Sequence, residues 1–298
     1  TGNTSTTITI HDYVLKCNTT AFSVGTTSEI NTIKNRSSFA TVDQHSSNTM
    51  HPYELVNLHK AHSFKSGSTT LTGNGKTIHI SDGAFNQNHA SFAGKTITMI
   101  SSTPTVSTTT GDHGTHVAST ATGVIGGTTH GVAPDADIAY SYFNNSSGGK
   151  SISLNRAEAL DSARINNSAI ASNNSWGPCD AVSGPNCTSA YTYNELATEA
   201  ANNGRNIREQ FAALNGGTTD AATYITAMDN FQDSGVIVYA NSNFSNDTDA
   251  SYFAALPFYF NGTTDSVDLS DAWISVMYAE FTGTSLSGAS TSDFSREG

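Results

Sequence analysis

The richest chemistry in the sequence lies in one stretch, Gly111-Asp112-His113-Gly114-Thr115-His116, running on through small residues to Gly123. A turn-forming Gly-Asp leads into two histidines and then into a helix-compatible run. Asp112 stands at the N-cap position and Gly123 at the stop. His113 therefore falls in the first turn of a helix, where a rigid element can hold a general base at the lip of a cleft. A metal site is the competing reading of two nearby histidines. The metalloprotease pattern needs ligands four apart with a Glu between them, whereas His113 and His116 are three apart without one. No metal ligand is assigned. The second reactive group is Asp82, which ends the alternating run Thr77-Ile78-His79-Ile80-Ser81-Asp82 just before Gly83. In open α/β sheets, reactive groups collect beyond the carboxyl ends of parallel strands.

The elements that must position these groups follow a strand-helix-strand rhythm. Residues 137–143 read as a strand, 154–166 as an amphipathic helix, and 169–174 as the next strand. A long helical region over 194–214 is interrupted at Asn202-Asn203-Gly204, and a second helix covers 220–231. Val236-Ile237-Val238-Tyr239-Ala240 is apolar throughout, as suits a central parallel strand. The alternation predicts a mainly parallel sheet with right-handed crossovers and helices on its faces. Upstream, residues 53–61 read as one helical segment. Residues 1–50 read as a poorly assigned N-terminal extension with one or two edge strands, set apart from a catalytic domain over 51–298.

The 298 residues suffice for a sizeable core. With 13 Lys plus Arg against 25 Asp plus Glu, the net charge of -12 argues against nucleic acid and anionic membrane as partners. Only 13% of residues are charged, and Ser, Thr, Asn and Gly dominate the polar positions. That composition suits a secreted or cell-surface bacterial protein, and no apolar run reaches the length of a membrane span. Since the chain starts at Thr1 without a leader, either a leader has been removed or the sequence begins inside a longer precursor. Cys179 and Cys187 lie close together in a Gly/Pro/Ser-rich loop that they could close, leaving Cys17 over.

The histidine stretch resembles the His-Gly-Thr-His-Val-Ala-Gly motif of subtilisin-like serine proteases, departing at Ser119 where Gly is usual. The likeness continues into Gly131-Val132-Ala133-Pro134. It implies an α/β, three-layer subtilisin-like fold, with His113 as catalytic base and Asp82 orienting it. The Asp motif departs from the family pattern: the residue normally between Asp and Gly is missing, and Ala90 follows His89 where Pro is usual. Ser175-Trp176-Gly177 resembles the segment that lies beside the substrate backbone and walls its pocket, and a core position is the competing reading of the Trp176 side chain. Asn243, after the 236–240 strand, resembles the oxyanion-hole asparagine, with Ser242 where Gly is usual. Leu256-Pro257 and Trp273-Ile274-Ser275-Val276 are similar to the subtilisin domains of bacterial autotransporters. The resemblance implies a peptide or protein substrate. Calcium is common in the family, but no ligand for it is assignable here, so no cofactor is expected.

Gly283-Thr284-Ser285-Leu286-Ser287-Gly288-Ala289 resembles the family's serine motif, yet three features oppose Ser285 as nucleophile. The catalytic serine must open a buried helix whose N-terminus completes the oxyanion hole. The sequence after Ser285 is too short and too rich in Ser, Thr and Gly for that helix. Ala289 replaces the motif's Pro. Moreover, Phe294-Ser295-Arg296-Glu297-Gly298 resembles a segment that precedes the serine motif, which places Ser285 in the turn before it. The expectation is a domain cut short before its nucleophile, which lies further along the polypeptide or on a second chain. The alternative is a catalytically inactive subtilisin-like domain serving as a surface adhesin or assembly subunit.

Overall fold

The computed structural model describes residues 22–23, 25–36, 52–101, 112–127, 130–179, 189–242, 247, 249–263, 266–276, 279–282 and 285–289. The N-terminal part holds a small antiparallel sheet of β1 (Phe22–Ser23), β2 (Lys65–Ser66) and β3 (Thr69–Thr70). Beside it lie the helices α1 (Thr27–Lys34), α2 (Pro52–Leu55) and α3 (Leu58–Ala61). Strand β1 is an edge strand of the kind expected in residues 1–50, and helix α1 is an addition to that reading. Thr26 and Glu29 form a capping box that satisfies two helix-start N–H groups, a local signal that outweighs the Thr-rich composition. The single helix expected over 53–61 breaks in two at Asn57, whose φ of 58° is left-handed.

The main sheet contains β4 (Thr77–Asp82), β5 (Ile97–Met99), β6 (Asp137–Tyr142), β7 (Ala169–Asn174), β8 (Val236–Ala240) and β9 (Trp273–Val276). Its order is β5-β6-β4-β7-β8-β9, and every neighbouring pair is parallel. The helices α4 (His113–Thr122), α5 (Ile152–Ile165), α6 (Tyr193–Asn202), α7 (Ile207–Leu214), α8 (Thr218–Gln232) and α9 (Leu256–Tyr259) complete the domain. The interruption read at 202–204 separates α6 from α7. Each of these two helices opens on a capping box, Thr192 with Glu195 and Asn206 with Glu209.

Side chains alternate across β4 and so divide the interior into two cores. Ile80 joins Phe85, Phe92, Ala118, Ile138 and Tyr140 beneath α4. The opposite core is larger and strongly aromatic, built by α5, α8 and the 250–260 region around Trp176, Phe211, Tyr239 and Phe253. This is a three-layer α/β architecture. Downstream, β10 (Ala279–Thr282) and β11 (Ser285–Ala289) form an antiparallel hairpin with Thr282 opposite Ser285.

On the larger-core side of β4, His79 is 2% exposed. Its Nδ1 hydrogen bonds with Ser172 Oγ on β7 and its Nε2 with Ser141 Oγ on β6, each at 2.9 Å. The imidazole thus joins three adjacent strands, and burial pushes its pKa down to about 4. An unfolded imidazole titrates near 6.5, so between these values the unfolded chain holds a proton that the folded one refuses. Stability is therefore full above about 6.5 and is lost as the pH falls toward about 4. At pH 5, unfolding should take up about one proton fewer in His79→Gln than in the wild type. Urea titrations between pH 4.5 and 7.5 measure this, and identical pH slopes for the two proteins would refute it.

Candidate active site

Asp82 is the last residue of β4, held centrally between β6 and β7. Its carboxylate is buried, with a side chain 1% exposed, and Oδ1 accepts the Gly83 N–H at 2.6 Å. The same oxygen lies 2.5 Å from Nδ1 of His113, the first residue of α4, whose side chain is 29% exposed. A fully buried carboxylate thus faces a partly open imidazole. In this geometry Nδ1–H donates to Asp82, which fixes the tautomer and leaves Nε2 as the basic nitrogen. Gly83, which follows Asp82 directly, supplies the N–H that anchors its carboxylate.

Helix α4 is held at both ends. At its start, Gly114 lies against Tyr140, whose hydroxyl donates to Gly83 O at 3.1 Å and whose ring stacks on Phe85 with centroids 4.0 Å apart. Tyr140 therefore contacts the residue after Asp82 and the residue after His113 together. Burial and the nearby Asp82 and Asp112 raise its pKa, so the phenol stays protonated as a donor. At the other end, the N–H groups of Gly131, Val132 and Ala133 donate to the carbonyls of Gly123, Thr120 and Ala121. The Gly-Val-Ala-Pro segment thus satisfies carbonyls that a helix end leaves open. Ser119, unusual for the motif, is buried and donates to His116 O at 2.9 Å.

The other residues singled out in the sequence are distributed differently. Ser175 is half-buried and accepts from Asn173 Nδ2 at 2.9 Å, while Gly177 is exposed. The Trp176 side chain belongs to the core. Its indole is 9% exposed and packs into the larger core, stacked on Phe143 at 5.2 Å and edge-on to Tyr239 and Phe253. Asn243 lies outside the described residues, and Ser242 before it is buried. Ser242 donates to the buried Asp247, which also accepts from Ser189 Oγ and the Ala190 N–H. Ser285 opens β11 beside the hairpin tip rather than a helix, as its following sequence implied. Among the described residues, no group of three or more His, Cys, Asp and Glu side chains could hold a metal ion. Tyr140 and Asp247 escaped the sequence reading because Gly83 and Gly114, against Tyr140, and Ser189 and Ala190, against Asp247, are distant in the chain.

An Asp–His pair at the carboxyl end of a parallel sheet, with the histidine opening a buried helix, defines a subtilisin-like α/β arrangement. The sequence profile of the subtilase family matches residues 73–296, and the chain belongs to that family. No curated protein matches the chain significantly. Solved structures similar to it include the prenylagaramide maturation protease PagA, at 22% identity and TM-score 0.39, over 64% of this chain and 52% of that one. Fervidolysin from Fervidobacterium pennivorans, a keratinolytic enzyme, is 20% identical with TM-score 0.48, over 80% of this chain and 30% of that one. The PatG macrocyclase bound to peptide is 16% identical with TM-score 0.45, over 77% of this chain and 62% of that one. The chain thus spans about half the length of the first of these proteases.

A Cβ on Gly114 would sit 1.8 Å from Tyr140 Oη and 2.7 Å from Ala84 O. Gly114→Ala should therefore cost about 1–3 kcal/mol of stability through overpacking. In a Tyr140→Phe background the loss should be smaller, because the closest clashing atom is gone. Urea denaturation of the four members of this cycle tests it; an equal loss in both backgrounds would show that the clash is relieved elsewhere.

Proposed function

We propose that this chain supplies the Asp and His of a serine endopeptidase working through an acyl-enzyme. The Asp82–His113 hydrogen bond, formed within a chain of the subtilase family, carries the reading. His113 Nε2 takes the proton of a serine hydroxyl as it attacks the scissile carbonyl, and later returns it to the leaving amine. Asp82 keeps the imidazole in the correct tautomer and stabilises its cation without taking the proton. Asn243 is the proposed donor to the developing oxyanion. The Ser175–Gly177 backbone, which continues from the end of β7, is proposed to receive an extended peptide by strand addition. The substrate class is a peptide or protein.

The nucleophile in this reading is not Ser285. A hairpin strand offers neither a helix dipole nor the convergent N–H groups that an oxyanion needs. The serine comes instead from residues beyond 1–298, on the same polypeptide or on a second chain. A secreted or surface location is proposed with it. That location is supported by the acidic, weakly charged composition, and a disulfide at Cys179 is proposed with it. Cys187 is its proposed partner, since the Cys179–Ala190 bridge draws together the two ends of the loop that contains it.

A fluorophosphonate probe on the full-length protein should label one serine, and Ser285→Ala should label as well as the wild type. His113→Ala should lose about 10⁴-fold or more in kcat. In the wild type, kcat/KM should fall on the acid side as the imidazole takes a proton. Labelling lost in Ser285→Ala alone would identify Ser285 as the nucleophile, and an unlabelled wild type would favour the inactive-domain alternative.

Thiol titration of the unfolded, unreduced chain should find one free thiol, from Cys17. Three thiols would rule out the disulfide and remove one support for secretion.

A further inference from the structure

Arg156 is a cation placed among aromatic rings. It projects from α5, and no ion pair involves it among the described residues. Its Nε donates to the backbone carbonyl of Phe143 at 2.7 Å. The guanidinium carbon lies 4.1 Å from the centre of the Trp176 ring and 5.5 Å from that of Phe253. Those three partners sit on three different segments. Phe143 follows β6, Trp176 follows β7, and Phe253 belongs to the stretch after β8. All three lie downstream of strands whose carboxyl ends converge with that of β4, where Asp82 sits.

We infer that Arg156 is a positioning residue that holds the segments after β6 and β7 at the spacing a bound peptide requires. The inference rests on the proposed peptide-binding role of Ser175–Gly177. A neutral apolar side chain at 156 could fill the space between the rings. It could not also anchor a backbone carbonyl, because it has no donor. The planar guanidinium does both, covering an aromatic face while donating in its own plane. Through the Phe143 carbonyl it fixes one segment, and through the Trp176 ring the next. Trp176 is turned inward, so its backbone and that of Gly177 are presented outward in one orientation. Arg156 touches neither substrate nor Asp82–His113, so its effect falls on binding rather than on chemistry.

The test is Arg156→Met in the full-length protein. It is assayed with a peptide long enough to run along residues 175–177 and with an aryl acetate, which has no amino-acid residue to lie along them. KM for the peptide should rise about five- to tenfold with kcat within about twofold, as expected for lost ground-state and transition-state binding alike. The ester parameters should stay unchanged. Arg156→Lys keeps a donor but not the planar fork, so it should fall between the two. A peptide KM within about twofold of wild type, with only the melting temperature lowered, would reduce Arg156 to a core-packing residue and overturn the inference. Should the methionine variant not fold, the lysine variant decides by the same KM criterion. Failure of the protease reading looks different: the wild type itself neither cleaves the peptide nor takes up the fluorophosphonate, and the inference then falls with it.

Discussion

The central place of β4 governs the rest of the molecule. Flanked by β6 and β7, it has both backbone edges paired, and both its faces are covered by side chains. A strand in that position has no freedom of register, because a slip of one residue would exchange its two faces. Asp82 is consequently delivered to one point, at the end of the strand and wholly buried. An isolated carboxylate there would be strongly unfavourable. The Gly83 N–H and the His113 imidazole offset that cost, and in doing so they fix where α4 begins.

Several departures from the family pattern become intelligible through packing. The Asp-Gly step brings a backbone N–H onto the Asp82 carboxylate. Ser119 returns its hydroxyl to the backbone of its own helix, so a buried polar atom is satisfied without altering α4. Ser242 gives its hydroxyl to Asp247, which gathers three donors and ties Ser242, just after β8, to Ser189 and Ala190. In each case a residue that weakens the motif has acquired a specific partner.

The two cores differ in kind. The one under α4 is small and apolar, suited to holding a helix whose first residue must not move. The other mixes packed aromatics with hydroxyls and an imidazole: Tyr224 and Tyr239 are joined through their hydroxyls at 2.8 Å, and His79 bridges two serines. Buried polar groups joined in this way specify one arrangement of neighbouring strands, because any other leaves donors unsatisfied. Strand spacing, and with it the separation of the segments that follow β6 and β7, is thereby tied to hydrogen bonds inside the sheet.

The local pattern in the sequence was enough to mark the helix beginning at His113, the strand ending at Asp82, and the strands 169–174 and 236–240 with their observed limits. Such features depend on capping residues and on the period of apolar side chains, which neighbours in the chain supply. The serine-rich run after Ser285 likewise argued against a helix there, and a hairpin strand is what forms. Tertiary structure alone decided that Trp176 turns inward, that Tyr140 meets Gly114, and that Arg156 reaches Phe143 and Trp176. Past the end of β7 the alternation of faces stops, so the direction of Trp176 is set by the layer it can pack against. Tyr140 in β6 and Arg156 in α5 have faces set locally, but the partners of all three come from segments distant in the chain, whose approach no local pattern encodes.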